Sequence, residues 1–273
     1  MATFLYNDKE IYYQLDGNTH LPKMVILNGI MMSTKSWEPF MTSLTESFQV
    51  LRFDMFDQGQ SSKMDEPYTQ AIQVELLNAL LIHLKIEKIH VVGISYGGSV
   101  ALQFAAKYQE KIDKLIVLNA VAKTSDWLKD IGRGWNEVAK TKNGLAYYYI
   151  TIPFIYSPPF YQKNIAWMQA RQKVLVPLFS NDDFLKSMIR LTISAESHDV
   201  LSELKAIDTE TLIVSSDLDY LTPPHEQIYL KNNLKNATLV TFNGCGHASM
   251  YEQPKLFVST IKGFLLDQKS YKI

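Results

Sequence analysis

Gly93-Ile94-Ser95-Tyr96-Gly97 sets a serine hydroxyl two residues from a glycine on either side. An apolar run at 89–93 enters this segment, and a run rich in alanine and leucine leaves it. A strand that turns sharply into a helix at Ser95 needs both glycines, because side chains there would collide as the two elements approach. The turn presents the hydroxyl. The helix behind it aims backbone N–H groups and a positive end at the same point. Ser95 therefore reads as a nucleophile rather than as a helix cap. A serine hydroxyl needs a base, and the base needs an acid to orient it. On a turn of this kind the chain order is serine, acid, histidine. Of the histidines after Ser95, His198 falls in a helical stretch and His225 follows Pro223-Pro224 at a helix start. His247 lies in the glycine-rich Asn243-Gly244-Cys245-Gly246-His247, between the last strand-like run and the last helical one. Such a loop opens at the C-terminal edge of a parallel sheet, where Ser95 must also emerge, so His247 is read as the base. For the acid, Asp217 and Asp219 both follow the strand-like run at 212–215, with Asp126 a weaker third candidate. Alternate residues of an extended segment point oppositely, so one of the pair faces the imidazole, and spacing does not choose which.

The elements that must hold these residues alternate along the chain. Strand-like runs at 24–27, 49–53, 89–93, 115–119, 212–215 and 238–242 are separated by helical ones at 34–47, 68–84, 95–108, 224–232 and 254–266. That alternation predicts parallel strands with helices on both faces of the sheet. In the helix over 68–84, Ile72, Leu76, Ala79, Leu80 and Leu84 fall at helical spacing and predict its apolar face. Runs at 3–6 and 10–15 predict an antiparallel hairpin at one edge. Residues 121–205 break the rhythm with helical patterns and no strand. Eight aromatics crowd 147–167, where Pro153, Pro158 and Pro159 interrupt any long helix. The expected organisation is a core of 1–120 and 206–273, carrying a helical lid at 121–205 over the sheet's C-terminal edge.

Composition narrows the partners. The 273 residues carry 27 basic and 28 acidic side chains, a net charge of −1, so neither nucleic acid nor an anionic membrane has an electrostatic footprint. The 47% hydrophobic content suits a packed globular protein. The lone Cys245 excludes an intrachain disulfide and a multi-cysteine zinc site. The histidines show no ligand spacing, and neither metal nor cofactor is expected. With no signal-peptide pattern at the N-terminus and no run of about 20 apolar residues, a cytoplasmic protein without a membrane span is expected. Nothing in the sequence encodes an oligomeric state.

Taken together, these residues resemble the α/β-hydrolase superfamily over essentially the whole chain. The resemblance rests on Asn28-Gly29-Ile30-Met31 after a strand, Asp54-Met55-Phe56-Asp57-Gln58-Gly59-Gln60-Ser61, Gly93-Ile94-Ser95-Tyr96-Gly97-Gly98, Asp219-Tyr220-Leu221-Thr222-Pro223 and Gly246-His247. It implies that family's fold, a mostly parallel central sheet flanked by helices with a helical cap insertion. It also implies Asp219 as the acid, since many members carry the acid four residues before a proline. The family's oxyanion hole maps onto the N–H groups of Tyr96 and Ile30. Members usually carry His-Gly where this chain has Asn28-Gly29, and Gly-x where it has Asp57-Gln58. The segment 54–61 is read as a structural turn, and Cys245 as a small buried hydrophobe.

The resulting expectation is a serine esterase with a Ser95–His247–Asp219 triad, acting on a small or medium apolar acyl ester, lactone or thioester. Met31, Met32, Tyr96, Leu221 and Met250 flank the expected site. A serine at the turn argues against the epoxide-hydrolase and dehalogenase relatives, which use a carboxylate nucleophile. Carbon–carbon bond hydrolysis is the runner-up enzyme reading. A small-molecule receptor with little turnover is the alternative of another class.

Overall fold

A computed structural model describes residues 2–267. The N-terminal runs form the expected hairpin. Strands β1 (Ala2–Tyr6) and β2 (Lys9–Asp16) pair antiparallel around Asn7 and Asp8, both in the left-handed region at φ 48° and 59°. Six further strands follow: β3 (Lys23–Leu27), β4 (Gln49–Phe53), β5 (Ile89–Ile94), β6 (Ile112–Leu118), β7 (Thr211–Ser216) and β8 (Ala237–Phe242). The sheet runs β1-β2-β4-β3-β5-β6-β7-β8, with β2 antiparallel to β4 and every later neighbour parallel.

The winding reverses at β3. The chain first crosses to β4 on one side of it, then returns to lay β5 on the other. Parallel sheets open a crevice beyond the carboxyl ends of such strands, here between Gly29 after β3 and Ser95 after β5. All six residues of β5 are buried, because helices cover both faces.

Those helices are α1 (Glu38–Thr45), α2 (Ala71–His83), α3 (Tyr96–Tyr108), then α9 (Pro224–Asn233), α10 (Ser249–Glu252) and α11 (Pro254–Leu266) of the C-terminal part. Between β6 and β7 lie α4 (Asp126–Lys140), α5 (Gly144–Ile155), α6 (Pro158–Lys163), α7 (Ile165–Phe179) and α8 (Asp182–Ala195). Successive strand residues face opposite cores. Val25, Leu27, Val91 and Leu115 pack with α2 and α3, whereas Met24, Ile26, Val92 and Ile116 pack with α1 and α11.

The apolar face expected on α2 is corrected by the structure. Gln73, Val74, Leu76, Leu77, Leu80 and Leu81 are buried, while Ile72, Ala79 and Leu84 are only half-buried. The helix is apolar around much of its circumference, so spacing alone did not fix its inward side. Gln73 turns inward because its side chain accepts from the Phe56 N–H and donates to the Phe56 carbonyl. Pro153 is likewise carried inside the last turn of α5 rather than ending it, while Pro158 opens α6.

The inserted helices enter and leave through one neck. Lys123 bridges Asp199, Thr124 N–H donates to the His198 carbonyl, and Val200 N–H donates to the Ala122 carbonyl. A second attachment is an ion pair with little access to water. Arg190 of α8 donates from Nε to Asp57 Oδ2 at 3.0 Å, and Ser187 donates to Asp57 Oδ1 at 3.1 Å. The Asp57 side chain is fully buried. Arg190→Met strands that carboxylate without its cation, and a loss of about 3–5 kcal/mol is expected in urea unfolding. A loss under about 1 kcal/mol would mean that the pair does not anchor the insertion. Among the described residues, no helix is long and apolar enough to cross a membrane.

Candidate active site

Ser95 closes β5 and caps α3 at φ 54° and ψ −119°, a conformation that costs a residue with a side chain about 1–3 kcal/mol. Its surroundings force it. Ser95 N–H donates to the Leu118 carbonyl at 2.9 Å, and Ser99 N–H donates back to the Ser95 carbonyl at 3.0 Å. The glycines have the role their spacing predicts. A Cβ on Gly97 would strike the backbone carbonyls of Leu27 and Asn28, and one on Gly93 would strike the Gly97 carbonyl. Gly98, not singled out from sequence, is equally confined, since its Cβ would lie 2.6 Å from Ala120 Cβ. For Gly97→Ala the obstacle is backbone, which cannot swing aside. A stability loss of about 1–3 kcal/mol or more is expected in thermal or urea unfolding, and a neutral effect would contradict this packing.

The imidazole arrives from the loop after β8. His247 Nε2 lies 2.8 Å from the Ser95 hydroxyl, and Nδ1 lies 2.7 Å from Asp219 Oδ2. Of the two carboxylates after β7, Asp219 is the one that meets the imidazole. Asp217 is exposed and accepts the Cys245 N–H at 3.1 Å, holding the histidine loop. Asp126 starts α4 at the surface and pairs with Lys129. His198 is buried between Gln103 and the Val121 carbonyl, and His225 is exposed beside Glu226. Neither touches Ser95.

Asp219 is almost completely buried and surrounded by donors. Its Oδ1 accepts the N–H groups of Leu221 and Thr222 at 2.8 and 2.9 Å, and its Oδ2 accepts the Thr222 hydroxyl at 2.7 Å. Asn119 Nδ2 donates to the same Oδ2 at 2.8 Å. Burial by itself raises the carboxyl's pKa. The neighbouring His247 imidazole, its hydrogen bond and the two from Thr222 outweigh that and hold it below the usual range.

Asn119 went unnoticed in the sequence, where it reads as the end of a strand. It stands just beyond β6 at φ 46°, and its Oδ1 accepts the Ser249 hydroxyl at 3.1 Å. It thus ties the acid to α10. Asparagine tolerates this left-handed geometry better than most residues, which is the one local signal it offered. Cys245 is buried, and burial pushes its thiol up to about 12, far from a thiolate at neutral pH.

Ser95 and His247 open on a cavity of about 200 Å³. Met31, Tyr96, Leu221 and Met250 all line it, as does Ile30. Tyr96, the first residue of α3, has no helical carbonyl for its N–H. Its phenol is buried against Ser194 Oγ at 2.8 Å, and burial raises its pKa. Of the aromatics at 147–167, only Tyr156 lines the cavity. Tyr147 and Tyr148 are core, while Tyr149 and Trp167 are substantially exposed.

A model of the alpha/beta hydrolase fold family matches residues 22–254. The chain belongs to the α/β-hydrolase family. The crystal structure of MGS-M2, an alpha/beta hydrolase enzyme from a Medee basin deep-sea metagenome library, is 59% identical, with each chain fully covered and a TM-score of 0.98. Among curated sequences, the "Putative carbamate hydrolase RutD" of Pseudomonas syringae pv. syringae (strain B728a) is 28% identical over 249 residues, 90% of this chain and 95% of that one. The 3-oxoadipate enol-lactonase 1 of Acinetobacter baylyi is 26% identical over 260 residues, 94% and 93% of the respective chains.

In this α/β-hydrolase the two departures from the family pattern meet. Asn28 Nδ2 donates to Gln58 Oε1 at 3.0 Å and to the Phe53 carbonyl at 3.0 Å, and Asn28 Oδ1 accepts the Trp37 indole N–H at 2.7 Å. Gln58 in turn donates to the Gly29 carbonyl at 2.9 Å. Both side chains are buried, and together they fix the loop that carries Ile30. The segment 54–61 is a turn. Its Asp54 accepts the N–H groups of Thr34 and Gln60 at 2.6 and 2.8 Å, whereas Asp57 pairs with Arg190.

Proposed function

We propose that this α/β-hydrolase is a serine hydrolase that cleaves a carboxylic ester, lactone or thioester of a small to medium, mainly apolar acyl compound through an acyl-enzyme. The observation that carries the reading is the hydrogen-bonded line from Ser95 through His247 to Asp219, with links of 2.8 and 2.7 Å. In that line Asp219 holds the proton on Nδ1, which leaves Nε2 free to accept the Ser95 proton. Ser95 Oγ then attacks the carbonyl carbon. The oxyanion takes hydrogen bonds from the N–H groups of Ile30 and Tyr96, aided by the positive end of α3. His247 protonates the leaving group, then takes a proton from the water that attacks the acyl carbon, and returns it to Ser95 Oγ as the acid departs. The names of the curated relatives, an enol-lactonase and a putative carbamate hydrolase, support a hydrolytic reading.

Helices α4–α8 act in this reading as a cap. Residues such as Trp135, Ile152 and Leu175 supply the apolar roof of the cavity. An alkyl fluorophosphonate should label Ser95 stoichiometrically. A chromogenic ester should then turn over many times per site after any burst; one turnover followed by arrest would point to a receptor instead.

A further inference from the structure

Besides His247, three charged side chains line the cavity that holds Ser95: Lys129, Arg171 and Glu196. Two of them are matched in charge. Lys129 pairs with Asp126 at 3.2 Å, and Glu196 with Arg133 at 3.6 Å. Arg171, on α7, makes no ion pair among the described residues, and its buried Nε has no hydrogen-bond partner. Nearby Glu252 is already committed, since its two oxygens accept the N–H and the hydroxyl of Ser157 at 2.8 and 2.6 Å. What holds Arg171 in place is aromatic. Its guanidinium carbon lies 4.9 Å from the ring centre of Tyr251, 5.3 Å from Trp167 and 5.8 Å from Tyr156.

Aromatic rings offset the charge of a guanidinium but offer its N–H groups no conventional hydrogen-bond acceptor, which leaves those donors for a ligand. A buried donor without an acceptor is costly in a wall this apolar, and such an arrangement is rarely kept without an occupant. The ligand that matches a planar fork of donors is a carboxylate, bound through two parallel hydrogen bonds. We infer that Arg171 is a specificity-determining residue that receives a carboxylate on the substrate. The substrate is then an acyl compound with an apolar middle and an anionic end, such as the half-ester or lactone of a dicarboxylic acid. This inference rests on the serine-hydrolase reading for its reaction, but not for its binding.

The test compares 4-nitrophenyl butanoate, hexanoate and octanoate with the 4-nitrophenyl half-esters of succinic, adipic and suberic acids, pairs that share leaving group and chain length and differ in the terminal carboxylate. The wild-type chain should favour at least one half-esters' length by kcat/KM. Arg171→Met should shrink that preference by about 10- to 100-fold, mostly through KM, as expected for a lost hydrogen-bonded charge. Arg171→Lys, which keeps the charge without the fork, should retain part of it. Lys173→Gln, an exposed charge change on the same helix, controls for long-range electrostatics and should leave the preference intact. A wild-type preference near one, or one that survives Arg171→Met, overturns the inference. If no ester of either kind is turned over, the hydrolase reading fails on its own. Calorimetry with succinate, adipate and suberate then decides, since binding to the Ser95→Ala protein that is lost in Ser95→Ala/Arg171→Met sustains the carboxylate site, and no binding to the former overturns it.

Discussion

Ser95→Ala is expected to lower kcat for 4-nitrophenyl esters by about 10⁴- to 10⁶-fold while leaving the fold intact. In serine hydrolases built on a triad, removing the nucleophile alone costs about as much as removing the whole unit, because the remaining members have nothing to activate. The residual rate comes from binding and from N–H groups at the oxyanion position. Alanine keeps the same backbone restrictions as serine at φ 54°, so the strain at this turn is neither added nor relieved. Thermal unfolding should therefore stay close to that of the parent chain. Steady-state assays, with fluorophosphonate labelling as the independent readout, decide the matter; activity within tenfold of wild type would sink the nucleophile assignment.

Asp219→Asn is expected to cost about 10⁴-fold in kcat, although the two side chains have nearly the same shape. The carboxylate here only accepts, from Asn119, Thr222, Leu221 and His247. An amide can keep its oxygen on the Leu221 and Thr222 N–H groups, which puts its NH₂ where Oδ2 was. That NH₂ then faces another donor, Asn119 Nδ2, and obliges His247 Nδ1 to accept. The imidazole proton moves to Nε2, so the ring offers a hydrogen to Ser95 instead of taking one. Rates far above that level would mean that Asp219 does not set the tautomer.

The same substitution carries a pH signature. In the folded chain the Asp219 carboxyl lies below its ordinary value, because contacts with His247 and Thr222 outweigh the effect of burial. A group depressed in this way adds stability above its unfolded-state pKa of about 3.9, and the gain is lost as pH falls through the folded-state value. The wild-type melting temperature should therefore drop through the acid range more steeply than that of Asp219→Asn. Parallel profiles would contradict the depressed carboxyl.

Legibility in the sequence followed the range of the forces involved. That Ser95 and His247 would meet was readable because their signals are local, glycines that a sharp turn or loop demands within two residues of each side chain. Asp219 could not be separated from Asp217 by spacing. The difference lies in which carboxylate meets an imidazole 28 residues away, and only the resemblance to α/β-hydrolases favoured one. Asn119 contacts Asp219, 100 residues on, and Ser249, 130 residues on, so no window of sequence contains its reason. Arg171 was hidden for a similar cause. A single arginine in a mixed helix carries no pattern, and its meaning comes from three rings, Trp167 on its own helix, Tyr156 between α5 and α6, and Tyr251 of α10. The sheet was legible nearly residue by residue because buried parallel strands are apolar runs, whereas α2 is apolar around too much of its girth for its inner side to be inferred.

The contact between Asn28 and Gln58 bears on how such a chain can diverge. Thirty residues separate the two positions, yet Asn28 supplies the donor for Gln58 Oε1, and Gln58 in turn donates to the Gly29 carbonyl next to Asn28. A change at Asn28 alone leaves Gln58 Oε1 without its donor in the interior, whereas a change at Gln58 alone leaves Asn28 its bonds to Phe53 and Trp37, so the cost of single exchange falls on position 28. The two loops are thereby coupled in one direction, from position 28 to position 58. A chimaera that borrows the segment around Asn28 from a relative must bring that relative's residue at position 58 with it.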